Sequence, residues 1–260
     1  MQQLKYILGS ILVAPLMPIV FFQGNRIRKE FPRLPEAKGP QGVAGAQFEK
    51  SMTVVGIGES SMAGVGIDTH INGFLGQFSK RLAELTEKKV NWHVYAQSGY
   101  TAEAVSKKLI PLATEEKADL FIIALGGNDT FQLNSPNKWK KDCFELIQTI
   151  RIKHPVTPIL FATMPPIHTF PAFTGSIRFV LGNLVRIHSD TLNKLIKKMP
   201  NVYYDARKIE LKEWLAKYPS TKKADYYADG VHPSALTFSI WGRAMAELID
   251  REHMFLSAVF

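Results

Sequence analysis

Residues Ser51 to Ser60 read SMTVVGIGES, and this stretch decides the fold. Ser51 to Ile57 is β-branched and apolar without the alternation of a half-exposed strand, so the pattern predicts a strand buried on both faces. It stops at Gly58, which puts Ser60 at the carboxyl end of that strand. In open α/β sheets this is the edge where ligands bind.

The same pattern recurs along the chain. Strands are predicted at residues 51–57, 90–95, 119–125, 158–163 and 201–204, with helical periodicity between them. The helix over 73–87 places Phe74, Phe78, Leu82 and Leu85 on one face. Thr101 caps the next helix, and Ser135-Pro136 opens a third with a favoured cap and first-turn pair. A fourth runs over about 175–198 and the last over about 233–252. Strands alternating with helices predict an α/β fold: a five-stranded parallel sheet with helices on both faces. At 260 residues and 46% hydrophobic content, the chain can bury one substantial core of this kind.

Two further segments belong with Ser60 at that edge. Leu120 to Leu125 is another buried-strand pattern, followed by Gly126-Gly127-Asn128-Asp129; the glycines allow a turn that aims the Asn128 amide into the crevice. Near the end, Asp229-Gly230-Val231-His232 sets a carboxylate and an imidazole three residues apart before Pro233. A serine hydroxyl is a poor nucleophile until a base takes its proton, and the base works best when a carboxylate fixes its tautomer. Ser60, His232 and Asp229 are therefore the candidate catalytic residues. Each segment also has a plain reading, as a helix cap, a type I′ turn or a core histidine; their joint occurrence at strand ends favours the catalytic one. His70, His93, His154, His168, His188 and His253 lack a comparable context and read as surface or packing residues. Asp225 is the one rival carboxylate near His232.

Other chemistries find no support. The residue two after Ser60 is Met62, not the glycine of an α/β-hydrolase elbow. No Walker loop is present, and Gly64-Val65-Gly66 lacks the rest of a dinucleotide fingerprint. Cys143 is the sole cysteine and falls in a helical pattern with Trp139, Leu146 and Ile150, so it reads as a small core residue. No metal site and no cofactor are expected.

The motifs resemble the SGNH hydrolase family, also called GDSL esterases and lipases. Four blocks carry the resemblance, in order: Gly58-Glu59-Ser60-Ser61-Met62-Ala63-Gly64, Gln97-Ser98-Gly99-Tyr100-Thr101, Gly126-Gly127-Asn128-Asp129 and Asp229-Gly230-Val231-His232-Pro233. It covers roughly residues 50 to 252. Glu59 stands where the family has Asp, a departure that bears on local hydrogen bonds of the elbow rather than on the chemistry. The resemblance implies a three-layer, flavodoxin-like fold. It also implies an oxyanion hole made of the Ser60 and Gly99 backbone N–H groups and the Asn128 side chain. The implied activity is that of a serine carboxylic ester hydrolase working through a Ser60 acyl-enzyme. An acyltransferase, a deacetylase, or a non-catalytic binding module of the same fold are the alternatives.

The expected organisation is a hydrophobic segment with a basic flank over 1–30, a linker over 31–50, the esterase-type domain over 51–253 and an apolar tail over 254–260. Tyr6 to Phe22, YILGSILVAPLMPIVFF, carries no charge and is followed by Arg26, Arg28, Lys29 and Arg33. This predicts membrane association; Pro15 and Pro18 argue against a straight spanning helix, and a helix packed on the enzyme is the other reading. With only Lys5 before the run, the positive-inside rule places the catalytic domain on the cytoplasmic side, the periplasm being the alternative. Phe31 to Gln47, rich in Pro, Gly and Ala, reads as a surface tether. The formal charge of +9 suits an anionic membrane surface, and no nucleic-acid-binding module accompanies it. The apolar loop Met164 to Phe173 supplies the substrate-binding candidates Met164, Pro165, Phe170 and Phe173 for an acyl chain. Together with the apolar segment it favours lysophospholipid-like esters near a membrane over sugar acetates. The sequence leaves the oligomeric state open.

Overall fold

A computed structural model describes residues 1–30, 33–207 and 211–251. In chain order the elements begin with α1 (Gln2–Val13) and α2 (Met17–Glu30), which a 3-10 turn at Ala14–Leu16 joins into one helical rod. There follow β1 (Gln41–Ala44), β2 (Ser51–Gly58), α3 (Phe74–Thr86), β3 (Lys89–Ala96), α4 (Ala102–Lys108), β4 (Leu120–Ala124), α5 (Gly127–Phe131) and α6 (Pro136–Lys153). The chain continues through β5 (Ile159–Phe161), α7 (Gly175–Ile196), β6 (Val202–Tyr204), α8 (Leu211–Lys217) and α9 (Ala235–Arg251).

The strands form a six-stranded sheet in the order β1-β3-β2-β4-β5-β6. The five strands expected from the sequence are all parallel to their neighbours, and β1 adds an antiparallel edge against β3. That sixth strand comes from the segment expected to be a tether. Its Gly and Pro content suits irregular backbone, but Gln41 to Ala44 pairs with Val90 to His93 and completes an otherwise open edge.

Both faces of the sheet are covered, which explains the continuous apolar strands. Val54 of β2 packs with Phe74, Phe78, Leu82, Phe238 and Met245 on the α3/α9 side. Its neighbours Val55 and Ile57 turn to the opposite side and pack with Trp139, Leu146, Val185 and Leu192 of α6 and α7. The parallel strands reverse direction of addition between β2 and β4, so a crevice opens there beyond their carboxyl ends. Ser60 follows one of these strands and Asn128 the other.

The α1–α2 rod forms a further layer outside α7. Val13, Leu16, Met17, Val20 and Ile27 pack on the core. Polar ties register it: Gln2 Nε2 donates to Asp190 at 3.0 Å, Tyr6 Oη to the Leu133 carbonyl at 2.9 Å, and Thr174 Oγ1 to Gln23 Oε1 at 2.6 Å. The opposite face is apolar too, with Leu4, Leu8, Ile11, Leu12, Phe21 and Phe22 exposed. At 29 residues the rod is long and apolar enough to cross a membrane, and 6% of its apolar 18-residue stretch is buried. The packed-helix reading thus accounts for one face and leaves the other bare. The apolar tail 254–260 and His253 lie outside the described residues.

Candidate active site

Ser60 sits in the turn after β2, half-buried, and its backbone N–H donates to no acceptor among the described residues. The Gly99 N–H, in the loop after β3, is likewise unpartnered. Gly99 has φ +85, a conformation a side chain rarely adopts, although a Cβ there would meet open space. Asn128 Nδ2 donates one hydrogen to the Tyr100 carbonyl at 3.1 Å. These three donor groups line one cavity, and the Ser60 and Gly99 N–H groups have no acceptor among the described residues, an arrangement suited to receive a developing oxyanion.

The turn after β4 depends on Gly126 at φ +116, where a Cβ would also collide with the terminal methyl of Met164. Beyond it, Gly127 N and Asn128 N donate to the two carboxyl oxygens of Glu59 at 2.7 and 2.8 Å. Glu59 thereby bolts the serine turn to the asparagine turn across the crevice. Asp129 anchors a different element. Fully buried, it accepts from Ala102 N at 2.9 Å and Asn134 Nδ2 at 2.8 Å, tying the start of α4 to this turn. Glu36, from the segment expected to be a tether, accepts from Ser98 N at 2.8 Å and Gln97 Nε2 at 3.1 Å and so holds the Gly99 loop.

Burial raises the Glu59 pKa from 4.5 to about 7, against the pull of the Asn128 and Gly127 N–H groups toward the anion. The unfolded chain therefore loses this proton before the folded one does, and the resulting stability, full below pH 4.5, drains away as pH rises to about 7. Glu59→Gln fixes a neutral side chain but leaves one N–H facing a donor. Denaturant titrations should show it less stable than the parent at pH 5 and nearer to it at pH 8, flattening the pH dependence by roughly 3 kcal/mol. A parallel decline in both proteins would remove Glu59 as its source.

At the far wall, His232 Nδ1 meets Asp229 Oδ2 at 2.7 Å, and Asp229 Oδ1 accepts from Val231 N at 2.9 Å and His232 N at 2.8 Å. Burial alone would raise the Asp229 pKa, but the His232 ring and these amides outweigh it and hold the carboxyl below its ordinary value. With Nδ1 engaged, Nε2 has no hydrogen-bond partner among the described residues, and His232 lines the cavity. Asp225 is occupied elsewhere, accepting from Lys222 N at 2.8 Å. No hydrogen bond joins Ser60 Oγ to His232 here; such contacts often tighten only with substrate bound.

Ser60, Gly99, Asn128 and His232 line one cavity of about 430 Å³. Its walls are largely apolar: Pro165, Pro166 and Phe170 from the loop before α7, Trp214 of α8, and Tyr226 and Trp241 from the chain's last third. Of the four expected substrate-binding residues, Pro165 and Phe170 reach the cavity. Met164 instead packs in the core beneath Gly126, and Phe173 stands behind, its ring 5.5 Å from Phe170 and 5.9 Å from Phe131. Trp214, Trp241 and Arg28 carried no local signal; they arrive by topology. His188 is a core residue, stacked 5.5 Å from Trp139, with burial lowering its pKa to about 4. Among the described residues no cluster suited to a metal occurs.

The fold is that of an α/β protein whose pocket opens at the carboxyl edge of its sheet. The chain belongs to the GDSL-like lipase/acylhydrolase family, whose model matches residues 57–237. By membership it stands among hydrolases of ester bonds. It is 30% identical over 122 residues to esterase TesA of Pseudomonas aeruginosa, a match covering 46% of this chain and 59% of that protein's length. A crystal structure of TesA superposes with a TM-score of 0.58 at 20% identity, covering 77% of this chain and 99% of that one. A G-D-S-L lipolytic protein from Veillonella parvula gives 0.57 at 16% identity, over 77% and 99%. These two likenesses establish the shared fold.

Proposed function

We propose that this protein is a serine carboxylic ester hydrolase acting on acyl esters of lysophospholipid-like lipids at a membrane. The observation that carries the reading is the set of unpartnered N–H groups of Ser60 and Gly99 beside a histidine already bound to a carboxylate. Ser60 Oγ attacks the ester carbonyl carbon while His232 Nε2 takes its proton. Negative charge collects on the carbonyl oxygen, where the two N–H groups and the Asn128 amide receive it. The C–O bond to the alcohol breaks, and the alcohol leaves with the proton from His232. Water, deprotonated by the same nitrogen, then attacks the acyl-enzyme and releases the acid.

The apolar cavity supports an acyl chain, and the bare face of the α1–α2 rod supports membrane association. A rod held along the domain suits a helix lying in one leaflet better than one crossing the bilayer. The cytoplasmic side rests on the flanking cations alone; protease accessibility in spheroplasts would place the domain there or on the other face.

The reading is tested by turnover of p-nitrophenyl esters of graded chain length, lysophospholipids and acetylated sugars. A preference for longer acyl chains supports it, and turnover of sugar acetates alone overturns the substrate class. Asn128→Ala should lower kcat by about 10² to 10³ and leave KM little changed, because its amide meets charge present only in the transition state. A change confined to KM would place Asn128 in ground-state binding.

A further inference from the structure

One charged group in the cavity has no part in that chemistry. Arg28, near the end of α2, lines the same cavity as Ser60 and His232. Two residues earlier, Arg26 is paired with Glu30 at 2.7 Å, whereas among the described residues no carboxylate pairs with Arg28. The other ionisable groups lining the cavity are Glu59, Tyr226, Tyr227 and His232. Glu59 is buried beneath the site and bound by Gly127 and Asn128. Arg28 is therefore the one permanent cation among the described lining residues, set against walls that are otherwise largely apolar.

Its placement is built into the fold. Ile27 packs on the core next to it, and Gln23 is tied to Thr174, the cap of α7 directly after the loop that carries Pro165 and Phe170. The rod that shows its bare apolar face to solvent thus also brings Arg28, itself exposed, to the active-site cavity.

We propose that Arg28 is a specificity-determining residue that receives the anionic headgroup of an amphipathic acyl ester whose chain takes the apolar part of the cavity. A guanidinium presents a planar fork of donors that matches phosphate or carboxylate in a bidentate way, which a point-charge ammonium does not. The substrate is then a single-chain lipid with a negative headgroup, and the helix that meets the bilayer also selects what leaves it. The inference rests on the ester-hydrolase reading for its turnover, but its binding step stands apart.

The test uses the full-length protein and two substrates with one acyl chain, lysophosphatidylglycerol and monoacylglycerol. In Arg28→Gln the ratio of kcat/KM for the anionic over the neutral ester should fall by about tenfold or more, carried by KM, and Arg28→Lys should recover part of it. Lys29→Gln removes the adjacent cation, which does not line the cavity, and should keep the ratio. An equal loss on both esters, or an equal fall in Lys29→Gln, would mean general attraction to an anionic surface and overturn the proposal. The binding arm uses calorimetry on Ser60→Ala with dodecyl phosphate, dodecyl maltoside and inorganic phosphate. Dodecyl phosphate should bind more tightly than either of the others and lose that advantage with Arg28→Gln. If the wild type hydrolyses no ester yet this binding persists, the hydrolase reading fails and the subsite stands. If binding is indifferent to Arg28, the subsite fails whatever the turnover.

Discussion

Ser60→Ala should abolish ester turnover, with a loss in kcat of about 10⁶ by analogy with nucleophile removal in other serine hydrolases, and should end labelling by a fluorophosphonate probe. The size follows from the role: without Oγ no acyl-enzyme forms, and the oxyanion donors retain only their residual assistance to water. The fold should tolerate the change, because Ser60 is half-buried and its hydroxyl makes no hydrogen bond among the described residues. An unchanged thermal melt would separate lost chemistry from lost structure. An alanine variant that still labels would move the nucleophile elsewhere.

The parallel sheet was legible because burial on both faces leaves a direct trace in composition. Val54, Val55 and Ile57 are each fully buried, and no polar residue could replace them without a partner. Helix starts were legible for a local reason: Thr101 and Ser135 accept from Ala104 N and Lys138 N, bonds made within one turn. The edge strand β1 was not. Its pairing with β3 is a long-range contact, and Gln41-Gly42-Val43-Ala44 has no apolar alternation to announce it. What recruits it is an unpaired sheet edge that no local window records.

The site divides along the same line. Ser60, Asn128, Asp229 and His232 stand beside strand ends or tight turns, where local backbone signals are strong. Glu59 was visible as a departure from a motif, but its span from one turn to the next is a tertiary fact. Arg28 is the extreme case. As sequence it belongs to a basic flank beside an apolar run, and only the packing of Val20 and Ile27 on the core turns that flank into a cavity wall. The boundary expected after residue 30 falls between Arg28 and the other residues that line the pocket.

Asp229→Asn should lower kcat by about 10⁴ with KM little changed, a smaller loss than removal of His232 itself. The geometry supplies the reason. Asp229 Oδ1 accepts two backbone N–H groups, from Val231 and His232, so an asparagine keeps its oxygen there and turns its NH₂ toward the ring. His232 Nδ1 must then accept rather than donate, which puts the ring proton on Nε2 and leaves no lone pair to take the proton of Ser60. The fold survives while the base carries the wrong tautomer. Asp225→Asn is the control, since an amide oxygen there can still accept from Lys222 N and no contact with His232 is involved. It should stay near the parent rate; a greater loss at Asp225 than at Asp229 would mean that the wrong carboxylate has been paired with the base.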